Sequence, residues 1–180
     1  MPRESRRGLV IVYTGGGKGK TSAALGALVR AVGYDWTVCM IQFIKGSWYY
    51  GELDGVKRLA PNVELIQTGE GFYKIMDDKL PEAAHRQAAQ AGLELAREKI
   101  ASNRYDLIIL DEINNTLQTQ LLSLADVMAL LDARPPWLHL ILTGRGAPPE
   151  LIERADLVTE MREVKHPYQQ GLFAQKGIDF

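Results

Sequence analysis

The chain has 180 residues, 46% of them hydrophobic, with 21 basic and 22 acidic side chains and a formal charge of -1. That length and apolar share suit one globular domain with a full-sized core, and the near-neutral charge gives no general electrostatic basis for binding nucleic acid or an anionic membrane. The single cysteine, Cys39, excludes an intramolecular disulfide, and its setting Val38-Cys39-Met40-Ile41 reads as a buried thiol in a reducing compartment.

Residues 1–7, with Arg3, Arg6 and Arg7, read as a flexible tail. The apolar run Leu9 to Tyr13 is too short for a signal segment or a membrane span, so a cytoplasmic protein with no membrane partner is expected. This run reads as a strand, and Ser22 to Val32 reads as a helix closed by Gly33. Between them lies Thr14-Gly15-Gly16-Gly17-Lys18-Gly19-Lys20-Thr21. A glycine-rich loop that joins strand to helix is a phosphate-binding loop: its backbone N–H groups converge on phosphate oxygens, the helix N-terminus adds its dipole, and Lys20 adds a full charge. Thr21 is placed to offer its hydroxyl to Mg²⁺ (or Mn²⁺). The departure from the G-x-x-x-x-G-K-[ST] pattern is Thr14 at its first position.

Further strands are expected at Thr37 to Phe43, Val63 to Gln67, Leu107 to Leu110, Leu138 to Leu142 and Leu157 to Met161. Helices are expected at Pro81 to Ala101, with Ala84, Ala88, Ala91 and Leu95 as its apolar stripe, and at Leu124 to Ala133. Lys45 to Gly55 and Thr68 to Lys79 read as loops over the active face. The rhythm predicts an α/β fold of the P-loop NTPase-like kind, a mostly parallel central sheet of about six strands flanked by helices, in a single domain over 8–180.

Two further segments carry chemistry. Asp106-Leu107-Ile108-Ile109-Leu110-Asp111-Glu112 is an apolar strand that ends in paired carboxylates, the arrangement that positions Mg²⁺ beside a phosphate loop. Either Asp111 or Glu112 is expected to reach the metal, directly or through water. Thr143-Gly144-Arg145-Gly146 puts an arginine on a tight turn at the same rim, where it would clamp a phosphate. His85 and His139 have no metal-ligand spacing with each other or with Cys39, and His166 is expected to pack or to make polar contacts to substrate.

With these pieces in hand, Arg30-Ala31-Val32-Gly33, Gln42-Phe43-Ile44-Lys45-Gly46, Ala133-Arg134-Pro135, Val164-Lys165-His166 and the ending Ala174 to Phe180 also become legible. From about Gly8 to Phe180 the chain resembles the P-loop ATP:corrinoid adenosyltransferases of the CobA/BtuR/CobO type, which includes cob(I)yrinic acid a,c-diamide adenosyltransferase. The resemblance implies transfer of the 5′-deoxyadenosyl group of ATP to a Co(I) corrinoid, with triphosphate released. It also implies ATP bound in the reverse sense from P-loop hydrolases, a homodimer, and an electron-donating reductase partner. Residue by residue, it implies that Thr14 to Ser22, Lys18 included, together with Arg30, Arg145 and Phe72, bind ATP or corrinoid. Lys20, Thr21 and Glu112 would be catalytic, and Thr21, Asp111 and Glu112 would serve the metal. Where the family often carries Gly-Phe-Thr-Trp, this chain has Gly71-Phe72-Tyr73-Lys74, so Lys74 takes the Trp position. Tyr73, or Trp48 with Tyr49 and Tyr50, would then supply the apolar wedge.

Two other readings compete. An ATPase or small-molecule kinase would use Glu112 to orient water or a hydroxyl toward the γ-phosphate and would release ADP. A nucleotide-gated corrinoid carrier would bind both ligands without turnover.

Overall fold

The computed structural model describes residues 3–46, 49–71, 73 and 80–180. Six strands, β1 (Val10–Thr14), β2 (Val38–Gln42), β3 (Val63–Gln67), β4 (Leu107–Asp111), β5 (His139–Thr143) and β6 (Leu157–Glu160), form one sheet. Their order is β3-β2-β4-β5-β1-β6, and each neighbouring pair runs parallel. All six expected strands are present.

Strand side chains alternate between faces, and the core divides accordingly. Cys39 and Ile41 of β2, Ile108 and Leu110 of β4, and Leu140 and Leu142 of β5 belong to one apolar cluster. Val38 and Met40, Leu107 and Ile109, and Ile141 belong to the other. The helix α1 (Lys20–Val32) covers the second cluster with Ala24, Leu28 and Ala31. The helices α3 (Glu82–Ala101) and α5 (Leu124–Asp132) cover the first. Because both faces of β2 and β4 are covered, these strands are buried at every position, whereas β6 at the sheet edge is exposed throughout. The Cys39 thiol is fully buried, and burial pushes it up to about 12.

The buried face of α3 is not the stripe expected from sequence. It runs through His85, Ala89, Gly92, Leu93, Ala96 and Ile100, while Ala91 is exposed and Ala84, Ala88 and Leu95 are half-buried. The reason is close approach at Gly92, where a methyl group would stand 2.6 Å from Thr68 Oγ1 and 3.0 Å from the Phe43 ring. In a helix this rich in alanine, the apolar periodicity alone leaves the buried face underdetermined.

Three short helices went unread in the sequence: α2 (Gly51–Gly55), inside a segment expected to be loop, α4 (Ile113–Gln118) and α6 (Pro149–Arg154). The N-terminal segment, expected to be a free tail, is anchored from Arg3 onward. Arg3 donates Nε to Asp106 Oδ1 at 3.0 Å and Nη2 to Oδ2 at 3.1 Å, and Arg6 Nη2 reaches Oδ1 at 2.6 Å. Thr37 N–H and Oγ1 donate to the same Oδ2 at 2.9 and 3.0 Å. The Arg6 guanidinium also lies 4.5 Å over the Trp36 ring.

This node generates a stability prediction. Burial works against the charged form of Asp106, yet the bonds from Arg3, Thr37 and Arg6 hold its carboxyl below the ordinary value of 3.8. A depressed carboxyl contributes stability above its unfolded value and loses it as pH falls through the folded one. Asp106→Asn should lower unfolding free energy at pH 7 by on the order of 2 kcal/mol in urea titrations. The gap from the parent should narrow below pH 4. Equal stability of the two proteins, or a gap unaffected by acid, would contradict this.

Candidate functional site

Because every strand pair is parallel, the carboxyl ends of β1, β2, β4 and β5 lie along one edge, and the residues that follow them meet there. They surround a cavity of about 860 Å³, a volume suited to a small-molecule ligand.

The phosphate loop follows β1. Gly15 has φ +94°, and a methyl group there would stand 2.4 Å from Met161 O, so only glycine fits the turn. Gly17 N–H donates to the same Met161 carbonyl at 2.7 Å, which seats the loop on the residues after β6. Gly19, at φ +109°, precedes the first turn of α1. Lys20 Nζ donates to the carbonyls of Gly15 at 2.9 Å and Gly17 at 2.7 Å, placing the ammonium within the loop. Burial pulls the Lys20 ammonium below the usual lysine range; the carboxylate of Glu112 opposes this and Arg145 adds to it.

Asp111, at the end of β4, is fully buried. Its Oδ1 accepts from Thr21 Oγ1 at 2.9 Å and Thr143 Oγ1 at 2.6 Å, and its Oδ2 accepts from Gln42 Nε2 at 3.3 Å. Hydroxyls from α1 and β5 and an amide from β2 therefore fix one carboxylate. Thr143 Oγ1 also accepts from Glu112 N–H at 2.9 Å. Glu112 sits at φ 66°, a left-handed conformation that is uncommon for a non-glycine residue. Its carboxylate accepts no hydrogen bond from the described residues and lines the cavity. Burial, reinforced by the Asp111 charge, pushes Glu112 up to about 7.

The turn after β5 is backed by α4. Gly144 has φ +128°, and a methyl group there would stand 2.4 Å from Asn115 Oδ1, the atom that accepts from Arg145 N–H at 2.7 Å. Arg145 is thereby held at the cavity wall. The C-terminal turn closes a further side: Lys18 of the phosphate loop forms an ion pair with Asp179, and Ile178 and Phe180 line the cavity.

The structure thus brings Gly17 to Ser22, Glu112 and Arg145 to one cavity, with Asp111 beneath it. Thr14, Gly15 and Gly16 form the rear of the loop rather than its lining; the Thr14 hydroxyl accepts from Ala147 N–H at 3.2 Å. Arg30 is not brought to the site. It stands exposed in the last turn of α1, about 15 Å along the axis from Lys20 at 1.5 Å per residue. His166 caps its own turn by accepting from Tyr168 N–H at 3.1 Å. Phe72, Lys74 and Trp48 lie outside the described residues. Tyr50 and Tyr73, two of the expected wedge aromatics, line the cavity, and so do Lys45, Glu52 and Asp179, for which the sequence suggests no individual role. Lys45 lies in the Gln-Phe-Ile-Lys-Gly segment, but Glu52 carries no signal that a single sequence exposes.

The raised value of Glu112 gives a prediction with a definite sign. The ordinary value is 4.5 and the folded value about 7, so the folded chain binds this proton more tightly than the unfolded chain does. Its contribution therefore favours folding at low pH and is lost as pH rises through 4.5 to 7. In thermal melts without nucleotide, Glu112→Gln should melt above the parent at pH 8, and the advantage should vanish near pH 4.5. An advantage independent of pH would contradict the assignment.

Comparison with known proteins agrees with this geometry. The family described as ATP:corrinoid adenosyltransferase BtuR/CobO/CobP matches residues 6–180. A corrinoid adenosyltransferase of Pseudomonas aeruginosa is 41% identical over 97% of this chain and 84% of its own length. The corrinoid adenosyltransferase CobA of Salmonella typhimurium is 36% identical over 98% of this chain and 88% of its own. Among solved structures, the flagellar accessory protein FlaH of Methanocaldococcus jannaschii superposes with a TM-score of 0.58 over 86% of this chain and 71% of that one. At 13% identity, that likeness speaks to the fold alone. From its phosphate loop to its last residues, the chain belongs to the ATP:corrinoid adenosyltransferase family BtuR/CobO/CobP.

Proposed function

We propose that this chain transfers the 5′-deoxyadenosyl group of ATP to the Co(I) centre of a corrinoid, in adenosylcobalamin synthesis or salvage. Co(I) gives an electron pair to C5′, the C5′–O bond breaks, its electron pair leaves with triphosphate, and the cobalt is formally oxidised to Co(III). The reading rests on a cavity whose lining combines a phosphate-binding loop with apolar and aromatic wall. Lys18 to Thr21 offer backbone N–H groups, an ammonium and a hydroxyl, and Leu25, Ile44, Tyr50, Tyr73, Ile178 and Phe180 add apolar wall. The loop groups suit a polyphosphate, and the apolar and aromatic side chains suit the flat face of a macrocycle.

On this reading the protein supplies position and charge rather than a covalent nucleophile, because Co(I) is itself strongly nucleophilic. Lys20 and the loop N–H groups would stabilise charge that accumulates on the leaving triphosphate. Arg145 would hold a phosphate oxygen from the turn after β5.

The donor set fits Mg²⁺ (or Mn²⁺). No group of three or more His, Cys, Asp and Glu is placed to hold a metal among the described residues. A cation that takes one or two protein oxygens and completes its shell with phosphate and water can be served by the Thr21 hydroxyl and the Glu112 carboxylate, both in the cavity lining. Thr21 would provide one oxygen. Glu112 would provide the acidic one, since both oxygens of Asp111 are engaged by protein donors. Asp111 would then act through Thr21. When bound, the cation supplies further neutralisation of the triphosphate.

No described helix is long and apolar enough to cross a membrane. We place the protein in the cytoplasm as a homodimer of one catalytic domain over 8–180, supplied with electrons by a separate reductase.

Lys20→Ala tests the reading. Its turnover in an anaerobic assay with Mg-ATP and chemically reduced corrinoid should fall by about 10² or more. Near-normal turnover would remove leaving-group stabilisation from Lys20.

A further inference from the structure

Helix α2 brings one carboxylate, Glu52, down onto the β2 and β4 strand ends. Glu52 Oε1 lies 2.5 Å from Lys45 Nζ and accepts from Gln42 Nε2 at 3.3 Å. The same two donors face Asp111 Oδ2, Gln42 Nε2 at 3.3 Å and Lys45 Nζ at 4.0 Å. The Lys45 and Glu52 side chains are each 12% exposed and Asp111 is 0% exposed, so water screens none of these charges well. Lys45 Nζ also lies 4.3 Å from the centre of the Tyr50 ring, so one side of the ammonium faces an aromatic ring.

We propose that Glu52 is a positioning residue: it holds the Lys45 ammonium away from Asp111 and so preserves negative charge at the metal end of the site. A buried cation pairs with the nearest carboxylate offered to it. With Glu52 present, Lys45 is satisfied at 2.5 Å and stays 4.0 Å from Asp111. Without it, a small rotation of the long lysine side chain closes that gap, because Asp111 Oδ2 at 4.0 Å is already within ion-pair distance, and the Glu112 carboxylate, which also feels the Lys45 charge, lines the same cavity. Asp111 paired to an ammonium would polarise Thr21 Oγ1 less, and the cation bound with nucleotide would be held less tightly. Lys45 is thus a cation shared between two carboxylates, and α2, whose Gly51 and Glu52 line the cavity, decides which of them receives it.

The inference rests on the reading of Thr21 and Glu112 as the metal end, and the test separates the two. Isothermal titration of ATP, with Mg²⁺ and with chelator, is performed on the parent, Glu52→Ala, Glu52→Gln and Lys45→Met/Glu52→Ala. In Glu52→Ala, the tightening of ATP binding by Mg²⁺ should shrink about tenfold or more, while affinity in chelator stays close to the parent's. The double variant, which has no ammonium to collapse onto Asp111, should recover most of that tightening. Glu52→Gln keeps the shape and a hydrogen bond but not the charge, and it should fall between parent and Glu52→Ala; it serves where Glu52→Ala does not fold. Equal losses with and without Mg²⁺, parent-like behaviour of Glu52→Ala and Glu52→Gln, or no recovery in the double variant would each overturn the proposal. No effect of Mg²⁺ on the parent itself would overturn the metal reading, and this inference with it.

Discussion

The site depends on how one buried carboxylate is satisfied. Asp111 ends β4 with no exposure to solvent, and a charge so placed is tolerable only when donors surround it. The donors come from three elements: Thr21 from α1, Thr143 from β5 and Gln42 from β2. Satisfying Asp111 therefore fixes the start of the helix that carries the phosphate loop, the strand end that carries the Arg145 turn, and the strand that leads to Lys45 and α2. The bond from Glu112 N–H to Thr143 Oγ1 extends the node to a second carboxylate, which the left-handed turn at Glu112 aims into the cavity. One interior charge thus organises the face on which a polyphosphate would be held.

The parallel sheet makes that arrangement possible. Strands β4 and β5 lie between β2 and β1, so the phosphate loop, the paired carboxylates and the arginine turn are adjacent in space while separated along the chain. Helices on both faces bury the central strands, and the polar groups are confined to the strand ends. At the opposite edge, Asp106 performs a structural version of the same task, gathering Arg3, Arg6 and Thr37 around one carboxylate at the start of β4. Each end of this strand thus carries a polar node, one anchoring the N-terminal segment and one beneath the cavity.

What could be read from sequence follows from the range of each signal. Glycine spacing in the phosphate loop and the apolar run to Asp111 are local, so strand, loop and helix were legible, and so was the six-strand parallel architecture. The buried face of α3 was misread by one position because it depends on a non-local contact, the approach of Gly92 to Thr68 and Phe43. Helix α4 was missed because six residues carry little periodicity, yet its Asn115 holds the Arg145 turn. Arg30 was assigned through a motif without regard to helix length, which carries it away from the cavity. Glu52 was invisible because its role is defined by where Lys45 and Gln42 arrive in space.

On the proposed function, this face handles the triphosphate of ATP as a leaving group rather than as a phosphoryl donor. Anaerobic mixing of the protein with Mg-ATP and pre-reduced Co(I) corrinoid, with identification of the phosphate product, tests this most directly. Light-sensitive adenosylcorrinoid and triphosphate should form in equal amounts, with neither formed when corrinoid is withheld. Release of ADP at a rate indifferent to corrinoid would contradict it.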